Sequence, residues 1–201
     1  LFPLNRSLTG NGNMQTLNFL KSKLNNFKIL KFQSGKKVYD WKIPKVWEVK
    51  SAMLLDDSGK KILDFKDNNL HLVGYSKSFK KIINFKILKK HLHYLKNLPD
   101  AIPYVTSYYK EYWGFCLSFR QFKKLKKNIN YLVNIKTTFK KGNLIMGELK
   151  IPGNSKKEIL LSTNICHPSM GNNETSGIVV TLAIAMYLQS LKKRNYSYRI
   201  L

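Results

Sequence analysis

The side chains best suited to chemistry fall close together. The span Ser162-Thr163-Asn164-Ile165-Cys166-His167-Pro168-Ser169-Met170-Gly171-Asn172-Asn173-Glu174-Thr175-Ser176-Gly177 carries one imidazole, one carboxylate, one thiol and several amides. An imidazole can ligate a metal or move a proton near neutral pH. A carboxylate accepts hydrogen bonds and carries protons, and amides hydrogen-bond without titrating. Cys166 reads as a small buried residue rather than a nucleophile, because no acid–base partner set stands near it.

The elements around this span decide where it sits. Glu158 to Cys166 holds the continuous apolar run Ile159-Leu160-Leu161, which predicts a fully buried central strand. From Ser176 to about Lys192, Ile178, Leu182, Met186, Leu188 and Leu191 predict a helix, with Thr175 or Ser176 as its cap. Tyr196 to Leu201 opens another strand. Strand, loop, helix and strand make a βαβ unit. Ligands of open α/β sheets bind beyond the carboxyl ends of the strands, which singles out the loop from His167 to Thr175.

Upstream, Leu17, Leu20, Leu24 and Phe27 predict a helix over Gly10–Phe27, capped by Asn11 or Asn13, followed by a strand over Lys28–Phe32. Val38 to Ser76 carries short extended runs, Val38–Trp41, Val46–Val49, Met53–Leu55, Ile62–Phe65 and Leu70–Val73. They are separated by Asp56-Asp57-Ser58-Gly59 and Asp67-Asn68-Asn69 and predict a small antiparallel β unit. A helix is expected near Asn84–Tyr94. On it His91 and His93 would point to different faces, a geometry of packing or surface roles rather than of a metal pair. The aromatic run Tyr108–Phe115 reads as packing. Tyr131, Val133 and Ile135, the turn Lys141-Gly142-Asn143, and Leu144 onward predict a hairpin.

Composition narrows the function classes. In 201 residues, 43% are hydrophobic and 23% charged, which is globular usage and excludes disorder. No run reaches the roughly 18 apolar residues of a membrane span, and no signal peptide is visible. The chain opens on Leu1 and closes on what looks like the start of an apolar strand, so it is expected to be a fragment at both ends. The net charge of +25 fits a polyanion partner. Only four of the 36 basic residues, however, are Arg (Arg6, Arg120, Arg194, Arg199), whereas nucleic-acid readers rely on Arg for bidentate contacts. Lys with abundant Asn reads instead as AT-rich codon usage on a solvated surface. Cys116 and Cys166 make no disulfide framework, which points to a reducing cytoplasm.

Several stretches together carry a resemblance: Leu1-Phe2-Pro3-Leu4-Asn5-Arg6-Ser7-Leu8-Thr9-Gly10, Asp40-Trp41, Asp64-Phe65-Lys66-Asp67, His91-Leu92-His93, Pro99–Tyr104, Thr106–Tyr109, Trp113–Cys116 and above all Ile165-Cys166-His167-Pro168-Ser169. Through nearly its whole length the chain resembles the aminopeptidase-like proteins often encoded near polysaccharide-biosynthesis genes. The resemblance implies an α/β fold, a zinc-exopeptidase-like mixed sheet with helices, here partial, interrupted by a small β-rich inserted domain. The expected division is 1–36 as the first part of the aminopeptidase-like domain, 37–118 as the insert, and 119–201 as the α/β core.

The resemblance also implies zinc on the loop. Zinc exopeptidases of this type place a His at the end of the buried strand and a bridging Asp just before the Ser-Gly that opens the helix. In this family the resemblance puts His at the position of Asn164 and Asp at that of Asn173, and both are amides in this chain, poor zinc ligands beside imidazole or carboxylate. The candidate metal positions are therefore His167, Asn164 and Asn173, with Glu174 as the candidate base or further ligand, and the remaining ligands lie beyond Leu201. The implied activity is a zinc-dependent aminopeptidase-like hydrolase acting on a small-molecule or peptide substrate. The alternatives are a non-catalytic relative that binds a peptide, amino acid or amino sugar in surface-polysaccharide assembly, and a polyanion-binding module. No specific nucleic acid and no membrane span are expected, and a homo-oligomer is compatible with the sequence.

Overall fold

The computed structural model describes residues 1–201. The first part of the chain forms α1 (Asn11–Lys23), β1 (Lys28–Gln33), β2 (Lys37–Val38), β3 (Trp41–Lys42), β4 (Val46–Leu55), β5 (Lys61–Asp64), β6 (Phe79–Asn84), α2 (Phe85–Lys89), β7 (Leu92–His93) and β8 (Phe115–Cys116). Then come α3 (Phe119–Lys123), β9 (Asn130–Lys140), β10 (Asn143–Ile151), β11 (Glu158–Leu161), α4 (Ser176–Ser190) and β12 (Ser197–Ile200). They pack as two compact units, Leu1–Val46 with Lys140–Leu201, and Trp47–Phe139.

The first unit holds a mixed four-stranded sheet in the order β1-β10-β12-β11. β1 and β12 run antiparallel to β10, while β11 and β12 are parallel. The expected βαβ unit is thus β11–α4–β12. Alternation along β10 puts Ile145, Gly147, Leu149 and Ile151 on one face, and the three apolar residues there join Leu17 and Leu20 of α1, Leu24 and Phe27 after it, Ile178, Ala185 and Leu188 of α4, and Ile200 in one buried cluster. Leu149 has no exposed surface, so truncating it would cost about 2–5 kcal/mol.

Three readings of this unit change. The run Ile159-Leu160-Leu161 is at the sheet edge rather than its centre, with Leu160 58% exposed. β12 pairs with only one side of it, so apolar composition here does not mean burial on both faces. Met186, expected in the buried stripe of α4, is half exposed, as are Val179 and Val180. Neither terminal helix uses its expected cap. α1 starts after Gly10 with no side-chain cap, because Asn13 Oδ1 accepts from Ser7 N–H and its Nδ2 donates to Ser7 O.

The second unit is built on a sheet of order β5-β4-β9-β6. Its core includes Trp47, Leu54, Leu63, Val73, Leu88, Phe115, Leu117, Val133 and Ile135. The expected strands Val46–Val49 and Met53–Leu55 are one strand, β4. Leu70–Val73 is not a strand: Asn68 accepts from Leu70 N–H and starts a 3-10 turn over Asn69–His71. Val38–Trp41 breaks into β2 and β3 around Tyr39, whose φ is 53°. The expected hairpin between β9 and β10 does not form. β9 pairs inside the sheet of the second unit, between β4 and β6, and β10 inside that of the first, between β1 and β12. The expected helix over Asn84–Tyr94 shortens to α2, which leaves His91 and His93 off any helix. His91 stacks on Trp113 with ring centroids 3.8 Å apart, and His93 Nε2 is 3.0 Å from Tyr112 Oη.

The expected insert, 37–118, and the unit Trp47–Phe139 are different ranges. β2 and β3 lie in the first unit, whereas α3 and β9 lie in the second, β9 because it pairs with β6.

Candidate functional site

The loop after β11 begins once its parallel ladder to the C-terminal strand ends. Leu201 N–H donates to Leu161 O, and Thr163 N–H to Leu201 O. The loop closes on a π-helical turn, Gly171–Thr175, fused to α4, in which Thr175 N–H donates to Met170 O five residues back. Such widened turns are rare and concentrate at functional sites. Here the extra residue per turn directs Glu174 inward, where it has no exposed surface. Gly177 lets α4 start against the strand end, since a Cβ there would overlap Thr163 Oγ1.

Glu174 reaches back to His167. Its Oε1 accepts from His167 N–H at 2.9 Å, and its Oε2 lies 2.9 Å from His167 Nδ1. A carboxylate only accepts, so Nδ1 carries the hydrogen and neutral His167 places its lone pair on Nε2. A ring nitrogen anchored on a carboxylate while the other faces a metal is the usual arrangement of a ligating histidine. The His167 side chain is 24% exposed, so its ring lies where the buried interior meets solvent.

Cys166, His167 and Glu174 bring one potential ligand atom each to within 4.8 Å of one another. The other two sequence candidates, Asn164 and Asn173, are exposed on the same loop. The Cys166 thiol is pushed up to about 11, first by burial and then by the Glu174 charge, so it stays protonated at neutral pH.

Two residues that sequence reasoning passed over hold the loop from beneath. Arg6 is fully buried. Its Nε donates to His167 O at 3.1 Å, Nη1 to Leu1 O at 2.6 Å, and Nη2 reaches Thr175 Oγ1 at 3.5 Å. Burial lowers its pKa, and the Glu174 charge opposes that shift. Asn13 Nδ2 donates to Ile165 O at 3.1 Å. The sequence signals for Arg6 were its type, one of four Arg in a Lys-dominated chain, and its place in the opening stretch that carries the resemblance.

The family model described as "Domain of unknown function (DUF4910)" matches residues 1–201. A Clostridium acetobutylicum protein named "Putative polysaccharide biosynthesis protein with aminopeptidase-like domain" is 43% identical over the whole chain. The chain spans 46% of that protein, about half its length. A crystal structure of a "putative peptidase" from Clostridium acetobutylicum superposes with a TM-score of 0.94 at 42% identity, over 99% of this chain and 46% of that one. A zinc aminopeptidase from Bacillus subtilis superposes with a TM-score of 0.54 at 13% identity, over 98% of this chain and 56% of that one, and shows likeness of fold. With its whole length matched, the chain belongs to the DUF4910 family and has an aminopeptidase-like α/β fold.

Proposed function

We propose that this chain supplies the first ligand loop of a zinc-dependent aminopeptidase-like hydrolase acting on a peptide or another aminoacyl substrate. The observation that carries the reading is His167, set just beyond the carboxyl end of β11 and anchored through Nδ1 on buried Glu174. His167 fits zinc through Nε2. Glu174 does not fit as a direct ligand, because both its oxygens are engaged by His167 and it is fully buried; we assign it the role of orienting His167. Cys166, protonated and half-buried, fits less well. Catalytic zinc sites use three protein ligands, and we propose that the others lie in the part of its longer relatives that this chain does not span. Bound zinc would supply a Lewis acid for the amide carbonyl and an acidified water. The protein's own contribution on this loop is to hold the imidazole, fix its tautomer and keep water from the Glu174 side. We propose Trp47–Phe139 as the inserted β-rich domain, and a reducing cytoplasmic setting in keeping with two unpaired thiols.

The test is metal content, by elemental mass spectrometry, of a protein of the longer relatives' full length that carries this chain, with His167→Ala alongside. Zinc held by the parent and lost from the variant supports the reading. A parent that takes up no zinc from a modest excess overturns it.

A second reading, a non-catalytic relative binding a peptide or amino-sugar ligand in surface-polysaccharide assembly, is favoured by one observation: Asn164 and Asn173 face solvent on this loop as amides. Under it, Asn164→His with Asn173→Asp creates zinc binding that the parent lacks; stoichiometric zinc in the parent refutes it.

A further inference from the structure

We infer that Arg6 is a positioning residue for His167, making the opening segment of the chain part of the site. The inference rests on the proposed metal role of His167 and concerns how that role is achieved. His167 is held at three atoms by two fully buried charged side chains. Glu174 takes its N–H and its ring Nδ1, and Arg6 takes its carbonyl. Fixing both polar groups of the backbone sets the direction in which Cβ leaves the chain, and fixing Nδ1 sets the rotation of the ring. The position of Nε2 then has no remaining freedom.

A guanidinium suits this task better than an ammonium. Its planar fork reaches acceptors on three segments at once, Leu1 O, His167 O and Thr175 Oγ1. Thr175 Oγ1 in turn donates to Met170 O at 2.9 Å, which ties the π-helical turn to the loop. The opening segment is also stitched on by Ser169 N–H to Phe2 O at 3.3 Å and by Asn13 to Ile165 O. Gly12 is needed for that seat: a Cβ there would overlap Asn5 O and stand 2.9 Å from Arg6 N. Burying a cation with no exposed surface is costly unless its charge and donors are answered. Here the donors are answered by Leu1 O and by the loop that carries His167, and the charge by Glu174, whose field acts on Arg6.

The experiment uses a protein of the longer relatives' full length that carries this chain, with Arg6→Lys, which keeps the charge and loses the fork, and Ser7→Ala as a neighbour that does not touch His167. Two readouts are taken on folded protein: the nitrogen-15 shifts of the His167 ring without metal, and zinc affinity. In the parent, one ring nitrogen reads as protonated and the other as carrying the lone pair. Arg6→Lys is expected to draw the two shifts together, as the tautomers mix, and to weaken zinc about 10- to 100-fold, the range for loss of an outer-shell partner; Ser7→Ala leaves both unchanged. A folded Arg6→Lys protein with parental ring shifts and parental zinc affinity overturns the inference. If Arg6→Lys does not fold, the scalar coupling across the Arg6 Nε–H to His167 carbonyl bond in the unaltered protein decides, its presence in support and its absence against. A parent that binds no zinc but whose ring shifts respond to Arg6→Lys defeats the metal reading and leaves the positioning role standing.

Discussion

Replacing Glu174 by Gln tests the centre of the site with almost no change of shape. The carboxylate accepts two hydrogen bonds, from His167 N–H and from Nδ1, each at 2.9 Å. Gln offers one acceptor oxygen and one amino group. If the oxygen stays on the backbone N–H, the amino group faces Nδ1, and the imidazole must move its hydrogen to Nε2. A hydrogen bond to a charged group contributes about 1.5–3 kcal/mol and a neutral one about 0.5–1.5 kcal/mol. Turning two of the first kind into two of the second therefore costs about 2–3 kcal/mol. Glu174 is fully buried, so solvent screening takes little from this, and Arg6 loses the charge that answers it. With a urea dependence of about 1–3 kcal/mol per molar, the unfolding midpoint should fall by about 0.7–3 M. Far-UV circular dichroism is the assay, since the two longest helices, α1 and α4, both belong to the unit that holds the site. Zinc affinity should fall at least about tenfold, because Nε2 no longer offers a lone pair. An unchanged midpoint together with unchanged zinc affinity would refute the reasoning.

Gly12→Ala should destabilise the first unit by about 1–3 kcal/mol, the usual range for overpacking, and loosen the opening segment; faster amide exchange at Ile165–Ser169, with exchange in β9 unaffected, is the check. Cys166 should alkylate slowly at pH 8 in the folded protein and quickly after unfolding, as followed by mass spectrometry. Its folded thiol is pushed up from 9.0 to about 11, so the native state holds this proton more tightly than the unfolded chain. The resulting stability is present below pH 9 and is lost as pH climbs toward 11. Glu174→Gln, which removes the charge that helps raise it, should speed the alkylation.

Local pattern revealed the crossover that positions the site, because an apolar run, a polar loop and a helical period follow one another from Glu158 to Leu201. It also pointed to the loop on which His167 and Glu174 meet. What local pattern could not reveal was which strand had neighbours on both sides. Ile159-Leu160-Leu161 reads the same at a sheet centre or at its edge, and the difference lies in pairings made elsewhere. The same limit explains the hairpin that does not form: β9 and β10 are adjacent in sequence, but each finds its partners far along the chain. Leu70–Val73 was misread for a more local reason, since a single Asn68 side chain redirected the backbone into a 3-10 turn. At the site, His167 and Glu174 could be named but not related. Their link depends on a π-helical turn that adds one residue to the spacing, and no period in the sequence records that. Arg6 lies 161 residues from the carbonyl it holds. Each of the four Arg side chains makes defined polar contacts, Arg120 with Asp100, Arg194 with three carbonyls, and Arg199 with Glu148 and Glu158. In a chain that otherwise uses Lys, the choice of Arg was itself structural information.

Within residues 1–201 one side of β11 is left open, and Leu160 on it and Val179, Val180 and Tyr187 on α4 present apolar surface. A strand side with unpaired N–H and C=O groups is a template for another strand, so a 201-residue chain prepared by itself carries a surface on which a second strand can pair. Against that stands a net charge of +25, which keeps like chains apart over about 10 Å at 0.1 M salt and over only about 3 Å at 1 M. Attraction at contact is apolar and hydrogen-bonded, and repulsion at a distance is ionic. For such a chain the lysines act as a barrier to edge-to-edge association, one that dissolved salt lowers.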